Sequence, residues 1–264
     1  MNAVAITDEG ATAVSTAAAA PATGRYYRDL NEYLETLERA GKLIRIRQPI
    51  NKDTELHPLV RWQYRGGIPE PDRKAWLFEN VTDAKGRRYK FPVVVGALAG
   101  NRAIYFTGMG CKTVEEMDEK WKQALLQPIP PVVVKDAPCH EEIHIGADLQ
   151  REGLGLDEFP VPISTPGFDN APYTTCSHWI TKDLDTGIQN LGNYRGQLKA
   201  RTRIGVFPSG LGQDIYLHWK KAQAKGQPLP AALVIGAPPV VSYTSVQKVA
   251  YGVDEVAVAG GLAG

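Results

Sequence analysis

At 264 residues, with 43% hydrophobic and 22% charged side chains, the chain can bury a large core and has the composition of an ordinary globular protein of one large domain or two. A formal net charge of +1 removes any electrostatic case for nucleic-acid or membrane binding. Three cysteines (Cys111, Cys139 and Cys176), odd in number and far apart, exclude a disulfide framework and a cysteine-rich zinc site, and free thiols suit a reducing cytoplasm.

Residues 1–24, rich in Ala, Thr and Ser, read as a disordered tail; the basic start and leucine-like core of a signal peptide are missing. No stretch approaches the roughly 18 apolar residues of a membrane span. Order begins at RDLNEYLETLERAGKL, where Leu30, Tyr33, Leu34, Leu37 and Ala40 recur at helical spacing, Asp29 and Glu32 form a capping box, and Gly41 supplies the stop. LIRIRQPI alternates as a half-buried strand should. ELHPLVRWQYR predicts a shorter helix ending at Gly66-Gly67, and WLFENV and FPVVVGALAG read as strands. Thr113 with Glu116 opens another helix, running to Leu126. Residues 25–128 are therefore an α/β N-terminal region.

Over residues 129–264 strands dominate: PPVVV, YTTCSHWITKD, a turn at Asp185-Thr186-Gly187, then QNLGNYRGQLKARTRIGVF. A helix from about Asp214 to Ala224 interrupts them, LPAALVIGAPPVV reads as a buried strand, and DEVAVAGGLAG begins a helix of small residues. The whole is an α+β chain whose second region is a β-barrel or sandwich carrying one or two helices.

His140-Glu141-Glu142-Ile143-His144 fits the zinc-protease pattern H-E-x-x-H. That chemistry needs both histidines on one helical face, with the Glu beside them as general base. Pro138 upstream, Gly146 downstream and a lone apolar Ile143 predict strand or loop instead, which favours a chance match over a zinc site.

Three other polar groupings stand out. In QNLGNYRGQ, Asn190 and Arg195 lie five apart and would face opposite ways on a regular strand, unless Gly192 and Gly196 allow a twist or bulge; otherwise Asn190 ends the hairpin turn and Arg195 is solvated. GLGQDIYLHWKKA brings a glycine-rich approach and Asp214 to a helix start, which suits either an anion or plain N-capping. Asp254-Glu255 also opens a helix, where acids complement the dipole without any further role.

In order and spacing these groups resemble the UbiD-type decarboxylases: W-I-T-K-D-x-D-T-G-x-Q-N-L-G-N-Y-R-x-Q, then L-P-A-A-L-V-I-G-x-P-P, then D-E-V-x-x-A-G-x-L-x-G, together with DLNEYLETLERAGKLIRI and APCHEEIH. The resemblance spans nearly all of the chain after the tail. It implies that residues 129–264 are an incomplete split-barrel domain binding prenylated FMN. It further implies reversible decarboxylation of aromatic or α,β-unsaturated carboxylic acids. Asn190 and Glu255 match the family's metal-binding positions. The third position is commonly a His after Gln; here Asp214 follows Gln213, and His218, one helical turn on, is aimed elsewhere. Such an all-oxygen set suits Mn²⁺ or Mg²⁺, and K⁺ is a further expected ion. Thr175, Gln213, Ser245 and Val246 fall where the family contacts flavin or phosphate. Arg195 matches the catalytic Arg, which also contacts the cofactor and orients the substrate carboxylate bidentately.

Family members carry two catalytic Glu residues and a C-terminal domain beyond GGLAG, so the resemblance implies a second polypeptide completing the fold, or a homo-oligomer, with a flavin prenyltransferase supplying the cofactor. The competing expectation is a non-catalytic flavin-binding or assembly module of a larger complex.

Overall fold

The computed structural model describes residues 25–208 and 210–264; the expected tail over residues 1–24 lies outside them. Asp29 opens α1 (Leu30–Arg39), accepting the Glu32 N–H at 2.9 Å, and the Glu32 carboxylate reaches back to the Arg28 N–H at 2.7 Å. The first bond satisfies an N–H that the helix leaves unpaired, and the second ties down the chain just before the cap. Gly41 takes φ +65° just after the helix, a left-handed conformation that costs a glycine little.

β1 (Leu43–Ile46), β2 (Ile50–Asn51), α2 (Leu56–Arg65), β3 (Ala75–Phe78), β4 (Val81–Thr82) and β5 (Val93–Val95) follow. β3 is the centre of a mixed sheet, parallel to β1 and antiparallel to β5, while β2 and β4 form a parallel pair. Next comes α3 (Arg102–Met109), which the sequence pattern does not reveal. Only Arg102 on it is exposed, so it lacks the polar face that makes a helical period legible. α4 (Val114–Leu126) starts at Thr113, whose hydroxyl accepts the Glu116 N–H at 3.2 Å, as its capping box predicts.

The expected strand at PPVVV does not form among the described residues: Val132 and Val133 are 85% and 95% exposed and have no ladder partner. Strand propensity describes fit to a half-buried pleated surface, and no such surface lies beside these valines.

The second region contributes β6 (Tyr173–Thr174), β7 (Ser177–Lys182), β8 (Gln189–Asn193), β9 (Gly196–Ala200), β10 (Arg203–Val206), α5 (Asp214–Ala224), β11 (Ala231–Ile235), α6 (Pro239–Thr244) and α7 (Glu255–Ala263). Its strands form two antiparallel three-stranded sheets, β11-β7-β8 and β10-β9-β6, which do not close into a barrel among the described residues. β11 is not the buried strand its composition predicts. It pairs only with β7, and Ala231, Ala232 and Ile235 are exposed. α6 replaces the expected continuation of that strand, because Pro239 at the first helical position has its φ already set for a helix.

One core cluster packs Tyr33, Leu34 and Leu37 of α1 against β1, β3 and Ile104 of α3. A second joins the two regions, bringing Met109, Cys111 and Ala124 against Val240, Tyr243, Val258 and Leu262. The small residues of α7 allow this. A β-carbon at Gly261 would stand 2.9 Å from Ala124 Cα, and one at Gly260 2.2 Å from the Ile129 carbonyl oxygen. That seat fixes the start of α7, where Glu255 lies. No helix among the described residues is long and apolar enough to cross a membrane.

Candidate functional site

The site is built on the β7–β8 hairpin. Asp183 folds its turn, accepting the N–H groups of Asp185 at 2.8 Å and Thr186 at 3.3 Å. Thr181 is thereby registered opposite Asn190, and both side chains are buried. The Asn190 amide donates to Thr181 Oγ1 at 3.4 Å, and its Oδ1 accepts from the Tyr194 hydroxyl at 3.5 Å. β8 is an edge strand, and α7 satisfies its outward N–H groups: Leu191 donates to Glu255 Oε2 at 2.6 Å and Gln189 to Asp254 Oδ2 at 3.2 Å. Asp254 also caps α7, accepting the Ala257 N–H at 3.0 Å. The dipole reading of Asp254-Glu255 therefore covers the first acid, while the second is a buried carboxylate beside Asn190's strand.

Burial pushes the Glu255 carboxyl up to about 7, against the Leu191 N–H that favours its anion, and the charges of Asp214 and Asp254 add to the rise. Burial likewise raises Asp214, at the first position of α5. Among the described residues neither carboxylate makes an ion pair with Lys or Arg. The Tyr194 hydroxyl feels both: burial, then Glu255 and Asp214, push it up to about 12. Asn190 thus meets this tyrosine hydroxyl directly, while Asp214 and Glu255 act on it, and Asp214 on Glu255, through their charge. A neutral amide oxygen and two carboxylates without a cationic side chain form a hard donor set, and a divalent cation of the Mg²⁺ or Mn²⁺ kind fits it.

Tyr194 also lines a cleft of about 540 Å³ with Tyr173, Arg195, Gln197, Lys199 and Gln213. Arg195 is not on a strand but in the two-residue connection from β8 to β9, which is how it escapes strict alternation with Asn190. It is exposed, with its guanidinium carbon 4.4 Å from the Tyr173 ring centroid. Gln213 sits at the N-cap of α5, its Oε1 accepting the Gly210 N–H at 3.4 Å.

Ser245 ends α6 and is tied to β8, its carbonyl accepting the Asn193 N–H at 2.9 Å. Its hydroxyl donates to the Ser242 carbonyl at 2.7 Å, so the 2.9 Å contact with His178 Nδ1 is a bond donated by the imidazole. His178 Nε2 then accepts from the Ser242 hydroxyl at 3.0 Å, and burial pushes the ring down to about 4. Thr175 and Val246 are exposed at the surface between β6 and β7 and after α6, and among the described residues their side chains hydrogen-bond to none of the groups above.

His140 lies in a 3₁₀ turn, exposed, and His144 in a loop, so no helix aligns them. Glu142 and His144 instead approach Glu158, one ligand atom from each lying within 4.8 Å of the others. Sequence reasoning missed Tyr194, although it sits between Asn193 and Arg195 in the same motif. It also missed Thr181 and His178, which lie on β7 two and five residues before Asp183.

The domain family described as 3-octaprenyl-4-hydroxybenzoate carboxy-lyase N-terminal domain matches residues 34–121, and the Rift-related domain of the same carboxy-lyase matches residues 132–264. A phenolic acid decarboxylase of Sedimentibacter hydroxybenzoicus is 30% identical over 249 residues, covering 90% of this chain and 48% of the relative. The UbiD-class enzyme HmfF from Pelotomaculum thermopropionicum, solved in complex with FMN, superposes with a TM-score of 0.71 at 31% identity, covering 89% of this chain and 48% of that one. Vanillic acid decarboxylase of Sedimentibacter hydroxybenzoicus in its closed form gives 0.77 at 28% identity, covering 90% and 49%. The chain spans about half the length of the relatives it matches.

Proposed function

Since the chain belongs to the UbiD carboxy-lyase family, we propose that it is the cofactor-binding part of a reversible decarboxylase acting on aromatic or α,β-unsaturated carboxylic acids in the cytoplasm. The observation that carries this reading is that Asn190 meets the Tyr194 hydroxyl, on which the charges of Asp214 and Glu255 act, beside the Arg195 cleft. HmfF was solved with FMN, and in an evolved dimeric form with its prenylated derivative. The cofactor of this chain is taken to be prenylated FMN, within a split barrel to which the two three-stranded sheets contribute.

In this reading Asn190, Asp214 and Glu255 would hold Mn²⁺ or Mg²⁺ through oxygen, and the ion would supply positive charge for the cofactor's phosphate. Gln213, Ser245, Thr175 and Val246 would bind the flavin, and K⁺ would be a further ion of the site. When bound, prenylated FMN supplies the electron sink that decarboxylation needs. Arg195, exposed in the cleft and backed by Tyr173, presents a planar guanidinium to the substrate carboxylate and holds it bidentately. Proton delivery to the carbon that loses CO₂ is assigned to glutamates outside these 264 residues, on a second polypeptide or an extension of this one, with a flavin prenyltransferase supplying the cofactor.

Native mass spectrometry of the protein, purified from cells that also make prenylated FMN, tests the reading. A species carrying prenylated FMN with Mn²⁺ or Mg²⁺ is expected. Protein that retains neither flavin nor metal overturns it.

A further inference from the structure

Beneath Asn190 the hairpin and α5 are joined by a buried chain of polar groups. The Asn190 amide donates to Thr181 Oγ1 at 3.4 Å, that hydroxyl lies 2.9 Å from His218 Nδ1, and His218 Nε2 faces Asp183 Oδ2 at 3.9 Å. Asp183 in turn accepts from Lys221 Nζ at 2.6 Å and from the Tyr251 hydroxyl at 3.2 Å. Asn190, Thr181, Asp183 and His218 are each 4% exposed or less, so water does not substitute for these partners.

The chain has a direction. His218 Nε2 faces a carboxylate that also accepts from Lys221 and can only accept, so Nε2 carries the ring proton and Nδ1 is the bare nitrogen. The contact at Nδ1 is therefore donated by the Thr181 hydroxyl, which is left only lone pairs to offer Asn190. This matters because the two ends of an Asn amide are nearly alike in shape and only their hydrogen-bond partners tell them apart. Were the Thr181 proton free to point at Asn190, the amide could turn its oxygen to Thr181 and put its NH₂ where Oδ1 now meets the Tyr194 hydroxyl. His218 removes that option by taking the proton.

We propose that Thr181 and His218 are positioning residues that orient the Asn190 amide, so that Oδ1 and not NH₂ is presented to a divalent cation shared with Asp214 and Glu255. The inference rests on the reading of those three residues as a metal site. It also gives His218 a role other than ligation: on α5, four residues after Asp214, it fastens the helix that carries one ligand to the hairpin that carries another.

The test is the Mn²⁺ affinity of the FMN-loaded protein, read from the electron paramagnetic resonance signal of free Mn²⁺ and paired with thermal unfolding. Thr181→Val keeps the shape and removes the hydroxyl, His218→Leu removes the acceptor, and Thr181→Ser keeps the hydroxyl. Both deletions are expected to weaken Mn²⁺ binding by about 10-fold or more, as loss of a group orienting a ligand commonly does, while T181S binds as the wild type does. Asn190→Ala separates the two levels of argument. If N190A loses Mn²⁺ but T181V and H218L keep wild-type affinity, the positioning role falls and the metal site stands. If the wild type binds no Mn²⁺, or N190A binds it as tightly as the wild type, the metal site falls and the inference with it. Should T181V fail to fold, H218L and T181S decide: wild-type affinity in H218L, or weakened affinity in T181S, overturns the proposal.

Discussion

The Tyr194 ring lies across Gly192: a β-carbon built on Gly192 would stand 2.3 Å from Tyr194 Cε2 and 2.5 Å from its hydroxyl. Any side chain at 192 therefore expels the tyrosine whose hydroxyl meets Asn190. Gly192→Ala should cost about 1–3 kcal/mol in urea unfolding, the usual range for overpacking. Tyr194→Ala should remove the obstacle, so the double variant should be less destabilised than the sum of the two singles. Additive costs would mean that the ring is not what excludes the methyl group.

Arg195 is exposed and its recorded side-chain contact is with the Tyr173 ring, so its replacement should leave folding nearly untouched. Arg195→Lys is expected to shift stability by no more than about 0.5 kcal/mol, as surface substitutions do. Turnover of the assembled, flavin-loaded enzyme should fall on the order of 100-fold, the scale of losing one aligned donor at a reacting group. Unchanged turnover would remove Arg195 from the chemistry.

His178 supplies a pH dependence of stability. Its ring, ordinarily near 6.5, is pushed down to about 4 in the fold, where the neutral form bridges Ser242 and Ser245. Below pH 6.5 the unfolded chain takes up a proton that the folded chain refuses. The contribution is therefore complete above 6.5 and is lost as pH falls toward 4, by something on the order of 3 kcal/mol. His178→Gln should flatten that part of the profile in denaturant melts between pH 6.5 and 4. A slope equal to that of the wild type would show that His178 is not its source.

His140→Ala should leave bound metal unchanged by inductively coupled plasma mass spectrometry, because His140 is exposed in a 3₁₀ turn and is absent from the grouping of Glu142, His144 and Glu158. Loss of stoichiometric zinc in that variant would restore the protease reading.

Features written in local chemistry were legible. Asp29 with Glu32 and Thr113 with Glu116 announce their helices by hydrogen bonds made within four residues, and Asp214 marks the start of α5. Elements set by distant packing were not. α3 is surrounded by protein and shows no polar face; Val132 to Val134 have every local reason to be a strand and nothing beside them to pair with. The site divides in the same way. Asn190, Arg195 and Glu255 stand in motifs, whereas Thr181 acts only because the hairpin register sets it opposite Asn190 and α5 lays His218 over it.

The bare valines have a practical consequence for anyone handling this chain. Val132, Val133 and Val134 form an uncharged, strongly β-prone run open to solvent, the chemistry on which separate copies stack edge to edge. Pro130 and Pro131 on one side and Lys135 and Asp136 on the other confine it to three residues, acting as gatekeepers. Stable stacking needs a window of roughly six or seven residues, so these flanks are what keep separate copies apart, and Pro131→Val is the small change that should make concentrated stocks self-associate.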